Sequence, residues 1–258
     1  HMKHLFFFLS LCFLMMVPRA QAQEPLSDLR NKEYFANQKT ITVKELLTTL
    51  QTIVEPISKS EHVRKDYDEL RGAYGLSEKQ MPYLDYVKVR IAFEATRDGG
   101  FWHLKWDITD EQPNSKRIWK LLSQVKPGET DVTIIAECDE MSAFFAYIVY
   151  RMGVRNVGLF WPTSNHTVSV WTVAKKRIVV PNSQIFLSET ATLGTTEFDP
   201  WIQKTIYEYR TTDVPIHFKI PGHLGRFMIK SILKDFNNPA TTLQKQRNDH
   251  VEKFGGSQ

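Results

Sequence analysis

Cys138, His166 and Asn182 are the residues whose types and spacing fit one chemistry. A thiol acts as nucleophile, an imidazole carries the proton, and an amide side chain fixes the tautomer of the imidazole. Cys138 falls in the first turn of the helix expected in "AECDEMSAFFAYIVYRMG". Unpaired amide N–H groups and the helix macrodipole stabilise a thiolate there. His166, in "SNHTVSVW", opens an alternating strand with Val168 and Val170 on one face and Thr167 and Ser169 on the other. Asn182, in "VVPNSQ", belongs to the next strand, and two adjacent antiparallel strands can set its carbonyl beside His166. Each residue also has a plain structural role open to it: a buried thiol, a surface histidine, a turn asparagine after proline. Asp139 and Glu140 suit the same helix start, and they are expected to cap the helix or to face solvent.

The cysteine count sharpens the choice. A basic start (Met2, Lys3), an apolar run from Leu5 to Val17 and the small-residue pattern Ala20-Gln21-Ala22 read as a secretory signal peptide over residues 1–22, cut after Ala22. The apolar run is short for a bilayer span, so no stable membrane anchor is expected. Cys12 leaves with the signal and Cys138 remains alone. An unpaired thiol in an oxidising compartment is a liability unless it is buried or useful. Loss of Lys3 and Arg19 leaves 31 basic against 29 acidic side chains. The basic residues are spread along the sequence and form no stripe, which argues against nucleic acid as a partner.

Several elements must position these residues. Residues 23–39 read as a polar, extended N-terminal arm, residues 40–236 as one catalytic domain, and residues 237–258 as a flexible tail. Thr42 and Glu45 form a capping box ahead of the apolar face Leu46, Leu47, Leu50, Ile53 and Val54. A more polar helix is expected from Ser60 to Ala73, near Gly75. Val87, Val89, Ile91 and Phe93, then Trp102, Leu104, Trp106 and Ile108, alternate around Asp98-Gly99 and predict a β-hairpin. A short helix from Asn114 or Ser115 to Gln124 follows. Beyond the cysteine helix, which Gly153 stops, strands are expected at 154–161, 166–173 and 177–186. A helix around Pro200 to Tyr207, a strand at Ile216 to Ile220 and a helix at Leu224 to Asp235 complete the pattern.

From Glu137 to Phe186 the sequence resembles the transglutaminase-like core of bacterial cysteine hydrolases. The resemblance rests on "ECDEMSAFFAYIVYRMGVRNV", a cysteine heading a helix that ends in Gly-Val, on "NHTVSVW", a histidine strand with an aromatic, and on "VVPNSQIF" on the following strand. It implies an α+β fold with a papain/transglutaminase-like core, in which the helix bearing Cys138 packs on an antiparallel sheet bearing His166 and Asn182. It further implies acyl transfer by a Cys138-His166-Asn182 triad. Ala136 replaces the usual glycine, Thr167 follows the histidine, and Asn182 stands where the family usually carries aspartate. Asp199 in "EFDPW" is the alternative third member.

The resulting expectation is an exported peptidase or amidase, periplasmic or secreted, acting on a protein or cell-wall peptide and using no cofactor and no metal. A protein-crosslinking transglutaminase and a noncatalytic binding module of the same fold are the alternatives. His62, His103, His217, His223 and His250 show no ligand spacing with the cysteine. Trp102, Trp106 and Trp161 are candidate substrate contacts, with core packing as their plainer role. Asn165-His166-Thr167 matches a glycosylation sequon, which in a bacterial chain is chance.

Overall fold

A computed structural model of the chain describes residues 26–96, 105–108, 117–126, 133–136, 138–163, 166–180, 207–208 and 216–236. Its elements are α1 (Ser27–Asn31), β1 (Thr40–Thr42), α2 (Val43–Thr52), α3 (Val54–Ser58), α4 (Glu61–Ala73), α5 (Tyr83–Thr96), β2 (Lys105–Ile108), α6 (Arg117–Ser123) and β3 (Thr133–Ala136). They continue with α7 (Cys138–Arg151), β4 (Val157–Thr163), β5 (His166–Val173), β6 (Lys176–Val180), β7 (Tyr207–Glu208), β8 (Lys219–Pro221) and α8 (Gly222–Asp235). The fold is α+β, with helices packed on small sheets.

Local signals set the first helices. The hydroxyl of Thr42 accepts from Glu45 N at 3.2 Å, and Glu45 Oε2 accepts from Thr42 N at 2.7 Å, which completes the capping box of α2. The apolar run predicted as one helix divides at Ile53 into α2 and α3. At the end of α4, Leu76 N donates to Arg71 O and Gly75 N donates to Gly72 O, both at 3.0 Å. Gly75 supplies the left-handed φ of +62° that this cap requires.

The expected β-hairpin is overturned. Residues 83–96 form α5, and β2 pairs in parallel with β3, Lys105 opposite Thr133 and Ile108 opposite Ala136. The turn residues Asp98-Gly99 and Trp102 lie outside the described residues. Tyr86, Val87, Val89, Ile91, Ala92 and Ala95 are all buried, and exposure is confined mainly to Leu84, Asp85 and Lys88 near the start of α5. A helix buried over most of its length shows little of a 3.6-residue stripe, and its alternation is accidental.

α7 is the central helix, with α5 on one side and β4 and β5 on the other. Its core-facing residues include Met141, Phe144, Phe145, Ile148 and Val149, and Trp119 of α6 meets Phe144 edge-on at 4.9 Å between centroids. The four-stranded sheet runs β6-β5-β4-β7 and is antiparallel throughout. Tyr207, placed at the end of a helix by the sequence, is instead in strand β7 opposite Leu159; residues 200–206 lie outside the described residues. The strand expected at Ile216 to Ile220 starts later, as β8, and pairs antiparallel with β1.

The segment ahead of β1 is docked and not extended. It holds α1, and Leu26 and Tyr34 are buried. Arg226 Nη1 donates to Tyr34 O at 3.2 Å and Gly222 N donates to Lys39 O at 2.9 Å, which fixes this stretch against α8. The approach is close enough that a Cβ at Gly222 would collide with the Gln38 carbonyl, and one at Gly225 with Ile41 Cδ1.

Candidate functional site

Cys138 opens α7 and His166 opens β5, as the sequence predicts. β3 ends at Ala136, so the cysteine sits at a strand-to-helix junction. Asn182 and the alternative Asp199 both lie outside the described residues.

Two features set α7 against β5. The Ser169 hydroxyl donates to the Ser142 carbonyl at 3.0 Å, in a fully buried contact between the strand and the helix. Ser142 is one turn beyond Cys138, and positions 138, 142, 145 and 149 share one helical stripe. The stripe that begins with Cys138 therefore runs along β5. Direction follows from the connection: residues 152–156 alone join α7 to β4, so β4 runs back along the helix. β5 is antiparallel to β4 and so runs with α7, which puts the first residues of both elements at the same end. From Ser142 back to Cys138 is about 6 Å at the helical rise, and from Ser169 back to His166 about 10 Å at the strand rise. The two positions are level to within about one helical turn.

The strand alternation adds a condition. Ser169, Trp171 and Val173 belong to the α7 side of β5, whereas position 166 falls with Val168 and Val170. Position 166 is therefore on the face of β5 away from α7, at the end of the strand that lies level with the start of the helix. That end is irregular. The β4–β5 register shifts between Phe160 and Thr163, and the extra residue lies on β4 beside Pro162, which has no N–H for the ladder. Thr163 pairs with His166 beyond the bulge.

The far end of α7 is held rigidly. Val154 N donates to Val149 O at 3.2 Å and Gly153 N to Tyr150 O at 3.0 Å, with Gly153 at φ +90°. Gln51 Nε2 donates to Arg151 O at 2.6 Å. These satisfy three of the terminal carbonyls of the helix.

Glu140 is 5% exposed, so of the two expectations, capping the helix or facing solvent, the second does not hold for it. Met141 beside it is buried as well, so α7 is packed from its third residue onward. A carboxylate there is favoured by the helix dipole. Ser142 and Ser169 escape sequence reasoning because neither type nor spacing marks them; the small side chains amid "MSAFF" and "TVSVW" are the one signal of a close helix–strand approach. Trp106 and Trp161 lie in β2 and β4. His62 and His217 are exposed and His223 is half-buried, while His103 and His250 lie outside the described residues. Among the described residues no group of His, Cys, Asp or Glu has a metal-holding arrangement, and no helix is long and apolar enough to cross a membrane.

Compared with known proteins, the chain matches no family model, no curated protein and no solved structure.

Proposed function

We propose that the chain is an exported cysteine-dependent acyl-transfer enzyme, a peptidase or amidase, with Cys138 as nucleophile and His166 as proton carrier. The observation that supports it is the Ser142–Ser169 contact, which sets β5 along α7 so that the Cys138 and His166 positions lie at the same end, with position 166 on the face of β5 away from the helix. In this reading the Cys138 thiolate adds to the carbonyl carbon of an amide, and His166 gives its proton to the leaving nitrogen as the C–N bond breaks. The imidazole then takes a proton from water, whose oxygen attacks the thioester; the C–S bond breaks and the thiolate is restored. The Cys138 backbone N–H is a candidate oxyanion donor. Asn182 orients the imidazole, with Asp199 as the alternative. The substrate is a protein or cell-wall peptide, and the compartment is the periplasm or the exterior.

The test is the pH dependence of iodoacetamide alkylation in the wild type and in His166→Ala. The expected result is a thiol titrating well below the free value of about 8.5, shifted toward that value in His166→Ala. A wild-type profile already at the free-thiol value refutes the reading. Asn182→Ala should lower turnover more than Asp199→Ala; the reverse order transfers the orienting role to Asp199.

A further inference from the structure

At the end of the sheet opposite the Cys138 and His166 positions, cations distant in sequence are brought together. α7 finishes there with Arg151, and the connection to β4 carries Arg155. Asn156 O accepts from Thr172 N at 2.7 Å, which seats this connection against the end of β5. Across the β5–β6 ladder Val173 pairs with Lys176 and Thr172 with Arg177. The turn between them is Ala174-Lys175. Arg151, Arg155, Lys175 and Lys176 are exposed, and Arg177 is half-buried. The last turn of α2, which reaches this end through Gln51, carries no charge. The nearest acidic position along the paired strands is Glu208, opposite Gly158.

Two further details bear on what such an array is for. The hairpin turn puts Ala174 at φ 45° and Lys175 at φ 68°, a left-handed pair that Asn-Gly adopts far more readily. The turn holds a lysine where stability alone would favour glycine. The guanidinium of Arg155 lies 3.9 Å from the centre of the Tyr150 ring, so a cation and an amphipathic aromatic are presented together. Tyrosine beside cations is the pairing that suits the headgroup level of a bilayer.

We infer that this end of the molecule is a docking surface for anionic phospholipid headgroups. The cations sit at a hairpin tip and a helix end, not along a groove that a nucleic-acid backbone would follow, and a planar array of phosphates meets such a tip. The inference is independent of the proposed Cys138 chemistry. If both hold, the surface faces the membrane while the open end of the sheet faces away.

The experiment uses the chain from Gln23, which keeps every described residue, with vesicles of phosphatidylcholine alone or with phosphatidylglycerol, read by co-sedimentation. Binding is expected only with phosphatidylglycerol and should weaken as salt is raised. Lys175→Gln with Lys176→Gln should weaken it about 25-fold, at about fivefold per cation removed near an anionic surface. Lys59→Gln with Lys65→Gln, just after α3 and on α4, should change it little. Both variants should keep the wild-type thermal transition, and Arg155→Gln provides an equivalent test if the turn variant does not. Equal binding to both vesicles, no binding to either, insensitivity to Lys175→Gln with Lys176→Gln, or displacement of bound vesicles by duplex DNA would each overturn the inference.

Discussion

Arg90→Met is expected to destabilise the fold by about 3–5 kcal/mol, the usual result of removing one member of a buried ionic network. Arg90 lies on α5 with its side chain 12% exposed, and it joins two helices. Nε donates to Glu94 Oε1 at 3.0 Å, and Nη1 donates to Asp66 Oδ2 of α4 at 3.3 Å and contacts the Tyr86 hydroxyl at 3.2 Å. The Glu94 side chain is 1% exposed and that of Asp66 14%. Burial alone would weaken Arg90's hold on its proton, but Tyr86, Glu94 and Asp66 outweigh it and keep the guanidinium charged. Burial also raises the Asp66 carboxyl, and Arg90 is the strongest influence pulling it back. Without Arg90 the Asp66 carboxyl loses the main influence that opposes its burial and favours its protonated form, beside a Glu94 side chain that is 1% exposed.

The sign of the pH effect follows. A carboxyl whose folded pKa is raised disfavours the fold once pH exceeds its unfolded value of about 4, so the loss in Arg90→Met should be small in acid and largest near neutrality. Urea unfolding of both proteins at acidic and neutral pH measures it, and the midpoint temperature should fall by about 6–20 °C for a chain of this size. Arg90→Met with Glu94→Leu should recover much of the loss, because replacing both buried charges by apolar groups removes the desolvation penalty. A single-variant loss below about 1 kcal/mol, typical of an exposed pair, would refute the reasoning. So would a double variant whose loss is the sum of the two single ones.

Three other outcomes are expected. Thr42→Ala should destabilise by about 1 kcal/mol through loss of the N-cap. The Thr42 backbone N–H and then its hydroxyl hold the Glu45 carboxyl below its usual range, so that stability is present above the unfolded pKa and lost as pH falls through the folded one; Glu45→Gln should flatten this acid limb in urea titrations. Gly222→Ala should lower the urea midpoint by the equivalent of about 1–3 kcal/mol, since its Cβ meets the Gln38 carbonyl, whereas Gly72→Ala, in open space within α4, should raise it by about 0.5–1 kcal/mol. Tyr86, pushed up to about 12 by burial foremost, should stay un-ionised in phenolate absorbance at the pH of about 10 where a free tyrosine titrates, and this part of the stability should be lost as pH rises from about 10 toward that value.

Elements specified by neighbours in sequence were legible, and those specified by distant partners were not. The Thr42–Glu45 box and the Gly153 stop involve groups within a few residues, so their chemistry can be read locally. The strands of β4, β5 and β6 follow one another through short turns, and sequence order gives their pairing. α5 defeats such reading because α3, α4, α7 and α8 all pack on it, and burial over most of its surface erases periodicity. The docking of residues 26–39 depends on α8, nearly two hundred residues away, and on glycines whose only mark is the room they leave. Thr40 pairing with Pro221 is invisible for the same reason.

The candidate site divides along the same line. Cys138 and His166 were legible as first residues of their elements, since a helix start and a strand start are local events. Their alignment was not, because it rests on a serine hydroxyl and a main-chain carbonyl within a helix, groups that no motif singles out. The strand parity is equally informative: it assigns Ser169 and Trp171 to the helix interface, and position 166 to the other set. Next to position 166 the β4–β5 ladder is bulged, with its register shifted between Phe160 and Thr163. A bulge re-aims the residues beside it, so the irregularity at 160–163 is where a working pair would differ from a spectator thiol and a spectator imidazole.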